Sequence, residues 1–473
     1  MSSDLPMKVA LCWHMHQPEY RNLVTGNFHL SWTYLHAIKD YVDMAAHIEA
    51  VPGARAVVNF APILLEQLEA YCQQVRDFMH GKGSIKDPLL AHLAEPALPG
   101  DIDDQLALMR KCMQANQERM INRFEPYQRL AHLATYYEDH PQTLIYASNQ
   151  FLSDLLVWYH LSWMAESARR EDTRIRALEQ KGCNYSLHDR RELLQIILDL
   201  MESVIPRYRR LADDGRVELT MSPYAHPIVP LLLNMETTRE AMPDAHLPLN
   251  PHYPGGPERA RWHLDQGLST FQRVFGRTPV GLWPSEGGVS QESLALFAEY
   301  GFKWVASGGS VLRNSHSPQD SACSHRVYRF GGIEVDCVFR DDGLSDLIGF
   351  SYSDWHAEDA VANLLGHMEH IAKLCPDRDD CLITIILDGE NAWEYYPENG
   401  YYFLNHLYAG LASHPGLELT TMASFLPDNQ PRPVQEKHIV AGSWVYGTFS
   451  TWIGSPEKNR GWDLLVEAKL CFD

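Results

Sequence analysis

The sequence predicts an α/β fold in which parallel strands form the wall of a barrel and helices cover it. Short apolar segments rich in β-branched residues alternate along the chain with longer segments of helical periodicity. Strands that alternate with helices are joined by right-handed crossovers and lie parallel in one sheet. Nearly every candidate strand is followed by polar, reactive side chains, which is typical of a barrel whose strand carboxyl ends converge on one face.

About seven segments have the composition and length of a strand. In chain order they are KVALCW at 8–13, RAVVNF at 55–60, VELTM at 217–221, PVGLW at 279–283, FKWVAS at 302–307, VDCVF at 335–339 and LITIIL at 382–387. The last shows no apolar/polar alternation, so we expect it to be buried on both faces.

The spacing of these strands predicts the domain organisation. We expect a catalytic barrel over residues 1–400, with a helical insertion at about 66–215, where helical segments are frequent and strand signals are few. The strand signal fades again after residue 400, so residues 401–473 are expected to form a mainly helical extension that contributes to the active-site cleft. A barrel with insertions reaches a length of 473 residues.

Composition restricts the class of ligand. A formal net charge of -21 opposes the approach of nucleic acid or an anionic membrane, so a neutral or cationic ligand is favoured. The first residues, MSSDLPMKVALCW, lack the pattern of a secretory signal, and no run approaches the length of a membrane span. We therefore expect a cytoplasmic protein. Its oligomeric state is left open by the sequence.

The nine cysteines are scattered, odd in number and without CxxC spacing. They indicate neither a disulfide framework nor a zinc knuckle. We expect no metal and no cofactor.

Two acidic residues at different strand ends are the main candidates for catalysis. Glu286 lies in GLWPSEGG, where a proline and two glycines would hold it rigidly without blocking a ligand, and Asp388 directly follows the strand at 382–387. Glycoside cleavage requires two carboxyl groups that face one cleft. The alternatives are a carboxylate at a helix N-terminus for Glu286 and an acidic surface loop for Asp388.

His14 and His16 form an HxH pair at the end of the first strand, where a period of two places both on one side. They can bind sugar hydroxyls or a metal ion. A metal-dependent hydrolase or polysaccharide deacetylase, with a downstream aspartate as a further ligand, therefore stays open. So does a glucan-binding protein without catalysis. Aromatic rings beside polar strand ends can stack on sugars or pack in the core, and these include Trp283, Trp393, Trp444 and Trp452.

Five motifs together resemble the five ordered regions of glycoside hydrolase family 57. They are HMHQP at 14–18, VELTMSPYAHPIVPLL at 217–232, GLWPSE at 281–286, LDGENAWE at 387–394 and GSWVYGTFSTWIG at 442–454. That family comprises enzymes that act on α-glucans: amylases, amylopullulanases, 4-α-glucanotransferases and branching enzymes. The form of the motifs is most similar to its amylopullulanase-like branch.

The resemblance implies a distorted (β/α)7 barrel and a retaining mechanism. It implies that Glu286 is the nucleophile, that Asp388 is the general acid/base and that His14 and His16 line the glucose subsite beside the cleaved bond. Further residues in regions that shape the cleft are Glu218, His226, Trp283 and Trp393, and the fifth region contributes Trp444 and Trp452. Tyr446 departs from the pattern, because several relatives have an aspartate there.

The predicted activity is hydrolysis of α-1,4 glucosidic bonds, with α-1,6 bonds left open, in glycogen- or starch-like α-glucans. The nearest alternative is a 4-α-glucanotransferase, because transfer and hydrolysis share their first step.

Overall fold

The computed structural model describes residues 5–316, 323–375 and 377–473. Its strands, numbered in chain order, are β1 Met7–Met15, β2 Ala56–Phe60, β3 Val217–Met221, β4 Gly281–Leu282, β5 Trp304–Gly308, β6 Tyr328–Phe330, β7 Asp336–Arg340, β8 Leu382–Asp388, β9 Leu417–Leu419 and β10 Val434–Glu436. They form one sheet in the order β10-β6-β7-β5-β4-β3-β2-β1-β8, and β9 pairs with β1.

Seven neighbouring strands, from β7 through β5, β4, β3, β2 and β1 to β8, are all parallel. Each overlaps one of the seven segments predicted from the sequence. The predicted α/β fold is thus confirmed. Three short strands, β6, β9 and β10, were not predicted, because runs of three residues carry too little periodicity to be distinguished from loops.

The two end strands of this run, β7 and β8, lie beside each other without forming a ladder among the described residues. We call this join between Asp336–Arg340 and Leu382–Asp388 the seam. The Asp341 amide donates to the Thr384 carbonyl oxygen at 2.8 Å. The Arg340 guanidinium Nε donates to the Ile386 carbonyl oxygen, also at 2.8 Å. Isolated contacts therefore hold the seam where a closed barrel has a continuous ladder.

Helices surround the sheet. In chain order they are α1 Trp32–His36, α2 Val42–Ala50, α3 Pro62–Met79, α4 Pro88–Ala94, α5 Ile102–Cys112, α6 Glu125–Asp139, α7 Asn149–Ser162, α8 Glu166–Glu171, α9 Thr173–Lys181, α10 Leu187–Asp213, α11 Val229–Leu233, α12 Thr238–Ala241, α13 Gly256–Phe275, α14 Gln291–Glu299, α15 Gly309–Ser315, α16 Asp342–Asp346, α17 Ala357–Leu374, α18 Tyr401–Ser413, α19 Met422–Asn429 and α20 Pro456–Phe472. Eight of them, α3 to α10, lie between β2 and β3. In the part of the chain that the structure describes, no helix is long and apolar enough to cross a membrane.

The local sequence explains where the longest helix, α10, begins. The Ser186 side chain accepts from the Asp189 amide, and the Asp189 carboxylate accepts from the Ser186 amide, so a capping box satisfies two free donors. Its apolar residues recur on one face and pack against α2, α3 and α4.

The two faces of the parallel strands pack into two separate cores. Val9, Leu11, Val58 and Ile385 belong to the larger core, shared with the helices. The alternate residues belong to a smaller core on the inner face, and these include Ala10, Cys12, Val57, Trp304, Val338 and Ile386, together with Met422 and Phe425 of α19. Because successive strand residues point to opposite faces, the smaller core fills the space that the strands enclose.

Candidate active site

A polar layer lies above the inner core, near the carboxyl ends of four neighbouring strands. His14 is in register with Asn59 on one side and with Asp388 on the other, and Asn59 is in register with Thr220. The imidazole Nδ1 of His14 lies 2.7 Å from Asn59 Oδ1, and Asn59 Nδ2 donates to Thr220 Oγ1 at 3.0 Å. Since the amide oxygen can only accept, His14 donates through Nδ1. Its Nε2 is then a free acceptor in the neutral ring.

Glu286 follows β4 in a short turn and has a backbone φ of 57°, in the left-handed region. That conformation costs free energy and needs support from its surroundings. Trp444 supplies it: its amide donates to the Glu286 carbonyl oxygen at 3.0 Å, and its indole Nε1 donates to Glu286 Oε2 at 3.1 Å. The fifth motif therefore fixes the candidate nucleophile.

Burial raises the pKa of Glu286, and the nearby negative charge of Asp388 raises it further. His14 and the Trp444 hydrogen bond lower this pKa in part. His226 Nδ1 lies 3.7 Å from Glu286 Oε1.

Asp388 ends β8, and burial raises its pKa to about 6. Two neighbours oppose this rise: Asn391 Nδ2 donates to Asp388 Oδ2 at 2.9 Å, and Arg340 supplies positive charge. A carboxyl group with this pKa is protonated for much of the time in mildly acidic solution, as a general acid must be.

Glu286 and Asp388 line one cavity of about 860 Å³. Such a volume is within the usual range for small-molecule sites. Its wall includes Arg340 and Asp342, and its rim includes three aromatic side chains that are more than half exposed, Phe350, Tyr395 and Tyr446. A deep acidic pair with exposed rings above it is suited to a sugar chain that enters from solvent.

His14, His16 and His226 stack upon one another beside this cavity. The ring centroids of His16 and His226 are 3.9 Å apart, and those of His14 and His226 are 5.0 Å apart. Burial lowers the pKa of His16 to about 3 and also lowers those of His14 and His226, so neutral rings are favoured. Buried Nε2 atoms of His14 and His226 have no hydrogen-bond partner within the described residues.

Within the described ranges, these three histidines form a group with metal-ligand spacing, because one nitrogen of each lies within 4.8 Å of the others. The ring planes are nearly parallel, with interplanar angles of 14°, 20° and 24°. A metal ion binds imidazole in the plane of the ring. An ion in the plane of one ring would thus lie outside the plane of the next, and the present arrangement suits hydroxyl groups better.

Trp283 is buried between His14 and Trp444, with ring centroids 6.2 Å and 5.1 Å away. Trp283 therefore packs against two residues of the site, His14 and Trp444.

The structure does not bring Glu218, Trp393 and Trp452 to this cavity. Glu218 lies in the inner core, where its two carboxylate oxygens accept from Trp304 Nε1 and the Ala423 amide, both at 2.8 Å. Burial raises its pKa to about 7. Because side chains alternate along β3, Glu218 and Thr220 lie on the same face of the sheet. Glu218 is two residues further from the carboxyl end of the strand.

Trp393 is fully buried and donates to the Gly389 carbonyl oxygen at 3.0 Å, so it supports the loop after Asp388. Trp452 lines a second cavity of about 460 Å³ with Trp462 and Tyr253.

Several residues of the site were not among the predicted ones. Arg340 contacts Asp342 at 3.2 Å and Asp346 at 2.7 Å, and Asn391 contacts Asp388. Glu390 accepts from the His16 amide, Gln17 Nε2 and the Tyr41 hydroxyl, each at 3.2 Å, which ties the first motif to the fourth. Their position directly after strands was the available signal, but it does not say which polar side chains face the cavity.

Comparison with known proteins identifies the family of the chain. The family model for glycosyl hydrolase family 57 matches residues 10–440. No curated protein sequence matches the chain.

Three solved structures are similar in fold. The branching enzyme of Pyrococcus horikoshii has a TM-score of 0.55 and 15% identity, over 96% of this chain and 76% of that one. The branching enzyme of Thermococcus kodakaraensis has a TM-score of 0.54 and 14% identity, over 98% and 78% of the two chains. The α-amylase AmyC of Thermotoga maritima has a TM-score of 0.54 and 12% identity, over 93% and 78%.

The family model covers most of the chain and includes the first four motifs in full. The resemblance drawn from them is therefore confirmed, and the chain belongs to glycosyl hydrolase family 57.

Proposed function

We propose that the protein hydrolyses α-1,4 glucosidic bonds of glycogen- or starch-like chains by double displacement, with Glu286 as the nucleophile and Asp388 as the general acid/base. The observation that carries this proposal is that both carboxyl groups line one cavity and that burial raises the pKa of Asp388 to about 6. α-1,6 bonds are a second substrate to be tested with the same pair.

In the first step, Glu286 Oε1 attacks the anomeric carbon while protonated Asp388 gives its proton to the departing glycosidic oxygen. Oε1 is the oxygen that Trp444 leaves free, since the indole donates to Oε2. A β-glucosyl-enzyme forms, and one sugar chain leaves with a new hydroxyl group.

In the second step, ionised Asp388 takes a proton from water, and the oxygen of that water attacks the anomeric carbon from the face that the first chain has left. The bond to Glu286 breaks, and the product has the α configuration. His14 and His226 lie beside the cavity rather than in its lining, so their buried Nε2 acceptors would reach glucose hydroxyl groups only after a local movement.

Transfer to a second sugar is the alternative outcome of the same intermediate. The exposed rings of Phe350, Tyr395 and Tyr446 favour it, because aromatic faces at the rim could hold an acceptor chain. A 4-α-glucanotransferase forms products longer than its substrate, whereas a hydrolase releases only shorter ones.

The test is product analysis from maltoheptaose, glycogen and pullulan, with the unmodified protein and the Asp388→Asn variant in parallel. We expect shorter maltooligosaccharides from the unmodified protein and a rate about 10²-fold to 10⁴-fold lower for the variant. Products longer than the substrate would show that the protein is a transferase and would contradict the proposed hydrolysis. An unmodified protein that binds these glucans without any product would be a glucan-binding protein.

Azide separates the roles of the two carboxyl groups. With an activated α-glucoside, Glu286→Ala should give the β-glucosyl azide, because azide attacks the sugar in place of the missing nucleophile. Asp388→Ala should give the α-glucosyl azide, because azide attacks the glucosyl-enzyme. The opposite assignment of products would contradict the proposed roles.

The stacked histidines keep a metal-dependent deacetylase as a second candidate, since they have metal-ligand spacing. Acetylated and unmodified oligosaccharides distinguish the two activities. A deacetylase releases acetate and leaves chain length unchanged, whereas the proposed enzyme releases new reducing ends.

A further inference from the structure

Tyr446 combines a strained backbone with an exposed ring. Its φ of 58° is in the left-handed region, which a bulky residue rarely adopts and which costs free energy. The residue is 81% exposed, so packing in the core does not offset this cost. Tyr446 nevertheless lines the main cavity, two residues after Trp444. Its place at the mouth therefore calls for an explanation other than stability of the fold.

The turn that carries Tyr446 is held from two sides. Within the turn, Ser443 Oγ donates to the Thr448 carbonyl oxygen at 2.7 Å. From α15, Asn314 Nδ2 donates to the Gly447 carbonyl oxygen at 3.1 Å. These contacts hold the backbone on both sides of the strained residue. The fold thus places the tyrosine at the mouth before a ligand arrives.

Two further exposed rings at the mouth belong to the segments around Asp388. Phe350 and Tyr395 both line the cavity, and Tyr395 is in the loop that follows Asp388. A Cβ added at Gly349 would lie 3.4 Å from Leu387 Cδ2, so the segment with Phe350 packs on the residue that precedes Asp388. Exposed rings therefore reach the mouth from the segments that carry the general acid/base.

The chemistry of the proposed reaction determines which part of the sugar chain these rings would meet. Asp388 gives its proton to the departing oxygen, so the chain that leaves must pass beside Asp388. His226, by contrast, approaches Glu286 to 3.7 Å from outside the lining of the cavity. The open part of the cavity, with its exposed rings, is therefore the place for the leaving chain.

We propose that Tyr446 and Phe350 bind the leaving part of the glucan chain, and that Tyr446 thereby determines the specificity for a sugar as leaving group. This inference rests on the proposed function. Exposed aromatic rings offer an apolar face to a pyranose. Covering such a face removes on the order of 50 Å² of apolar surface from water, which corresponds to a change of about 5-fold to 10-fold in affinity.

Two substrates separate the leaving side of the site from the rest. Maltoheptaose has sugars on both sides of the bond that is cleaved, whereas α-maltotriosyl fluoride has only fluoride on the leaving side. Both give the same kind of glucosyl-enzyme, and kcat/KM reports the step that forms it. A residue that binds only the leaving chain should thus affect maltoheptaose and not the fluoride.

We expect Tyr446→Asn to lower kcat/KM for maltoheptaose about 5-fold to 10-fold and to change that for maltotriosyl fluoride less than about twofold. Asparagine tolerates the left-handed conformation, so the melting temperature should be equal or higher. Tyr446→Phe keeps the ring and should keep at least about half of the activity on maltoheptaose. Phe350→Ala should give the same selective loss as Tyr446→Asn.

Tyr146→Asn is the matched control, because Tyr146 is 83% exposed and lies among the helices between β2 and β3. It should leave both rates unchanged. An equal loss on both substrates in Tyr446→Asn would assign Tyr446 to the fold or to the part of the chain that stays bound, and would overturn the inference. So would an unchanged rate on maltoheptaose. If the unmodified protein cleaves neither substrate, the proposed function fails, and this inference fails with it.

Discussion

Trp444 connects the fifth sequence motif to the charge state of the candidate nucleophile. Its indole donates to Glu286 Oε2 and so stabilises the ionised carboxylate. In the proposed mechanism this carboxylate must be ionised to attack the sugar. The hydrogen bond is therefore expected to set the lower end of the pH range of activity.

We predict that Trp444→Phe moves the acidic limb of the kcat/KM profile to higher pH. Loss of the donor raises the pKa of Glu286 further. A hydrogen bond to a charged group contributes about 1.5 kcal/mol, which corresponds to a shift of about 1 pH unit. The exposed Trp262 provides the control Trp262→Phe, which should leave the limb in place. An unmoved limb in Trp444→Phe would show that this bond does not control Glu286.

Asp388 should lower the stability of the folded protein at neutral pH, because burial disfavours its charged form. Its pKa of about 6 in the folded state is above the ordinary value of about 3.9 for an unfolded chain. The folded state binds the proton more tightly, so the contribution of this group to stability is present below about pH 4 and is lost as pH rises through about 6.

We therefore expect Asp388→Asn to have a higher melting temperature than the unmodified protein at pH 7, by a few degrees, and an equal one near pH 4. Thermal unfolding at both pH values measures this difference. Asp428→Asn, at an exposed position, should change neither value. A variant that is less stable at pH 7 would mean that the buried carboxylate is compensated by contacts that asparagine cannot replace.

At the scale of elements, α19 closes the space inside the strands opposite the cavity. Glu218 holds it there, because its carboxylate accepts from the Ala423 amide in the first turn of α19 and from Trp304 on β5. This placement favours a structural role for Glu218 over contact with substrate.

We predict that Glu218→Gln lowers the melting temperature and leaves KM for maltooligosaccharides unchanged. Glutamine has one acceptor oxygen for two donors, so its NH2 group would face a donor and leave it unsatisfied, at a cost of about 1–3 kcal/mol. Calorimetry and steady-state kinetics on the same preparation separate the two effects. A raised KM at unchanged stability would instead indicate that Glu218 contacts the substrate.

The segment around Trp444 packs closely on β5. A Cβ added at Gly308 would lie 2.6 Å from Trp444 Cα, so any side chain there must displace the backbone that supports Glu286. We expect Gly308→Ala to lower kcat/KM at least about 10-fold, because small misplacements of catalytic groups are costly. Gly366→Ala, on α17 with open space around its Cβ, should keep full activity. Equal activity of the two variants would contradict this packing argument.

At the scale of the whole molecule, the net charge of -21 is compatible with a neutral substrate. We expect KM for maltoheptaose to change less than about twofold between low and high ionic strength, because screening acts on charged ligands. Kinetics over a range of salt concentrations check this, with a sulfated oligosaccharide as a charged comparison. A strong salt dependence for the neutral sugar would indicate that its binding is coupled to movement of charged groups.

The sequence was informative where a pattern is long or chemically unusual. Seven strands were located because β-branched runs between helical segments are distinctive, although β4 has only two residues in the structure, Gly281 and Leu282. The division into domains at 66–215 and 401–473 stays a prediction, as do the roles of Glu286 and Asp388.

Side-chain direction was harder to predict. Glu218, Trp393 and Trp452 lie in the five motifs, yet they do not line the main cavity. The burial of Glu218, for example, depends on Trp304 and Ala423, which are distant from it in sequence.

The seam has a consequence for how this scaffold can vary. A ladder would fix two strands at about 4.8 Å along their length, whereas the seam is held by the backbone hydrogen bond from Asp341 to Thr384 and by side chains such as Arg340, whose length can change. Arg340 spans that gap and also borders the cavity. Exchange of a single residue could therefore widen or narrow the mouth without breaking any pair of strands, and bulkier branched glucans could be admitted by the same framework.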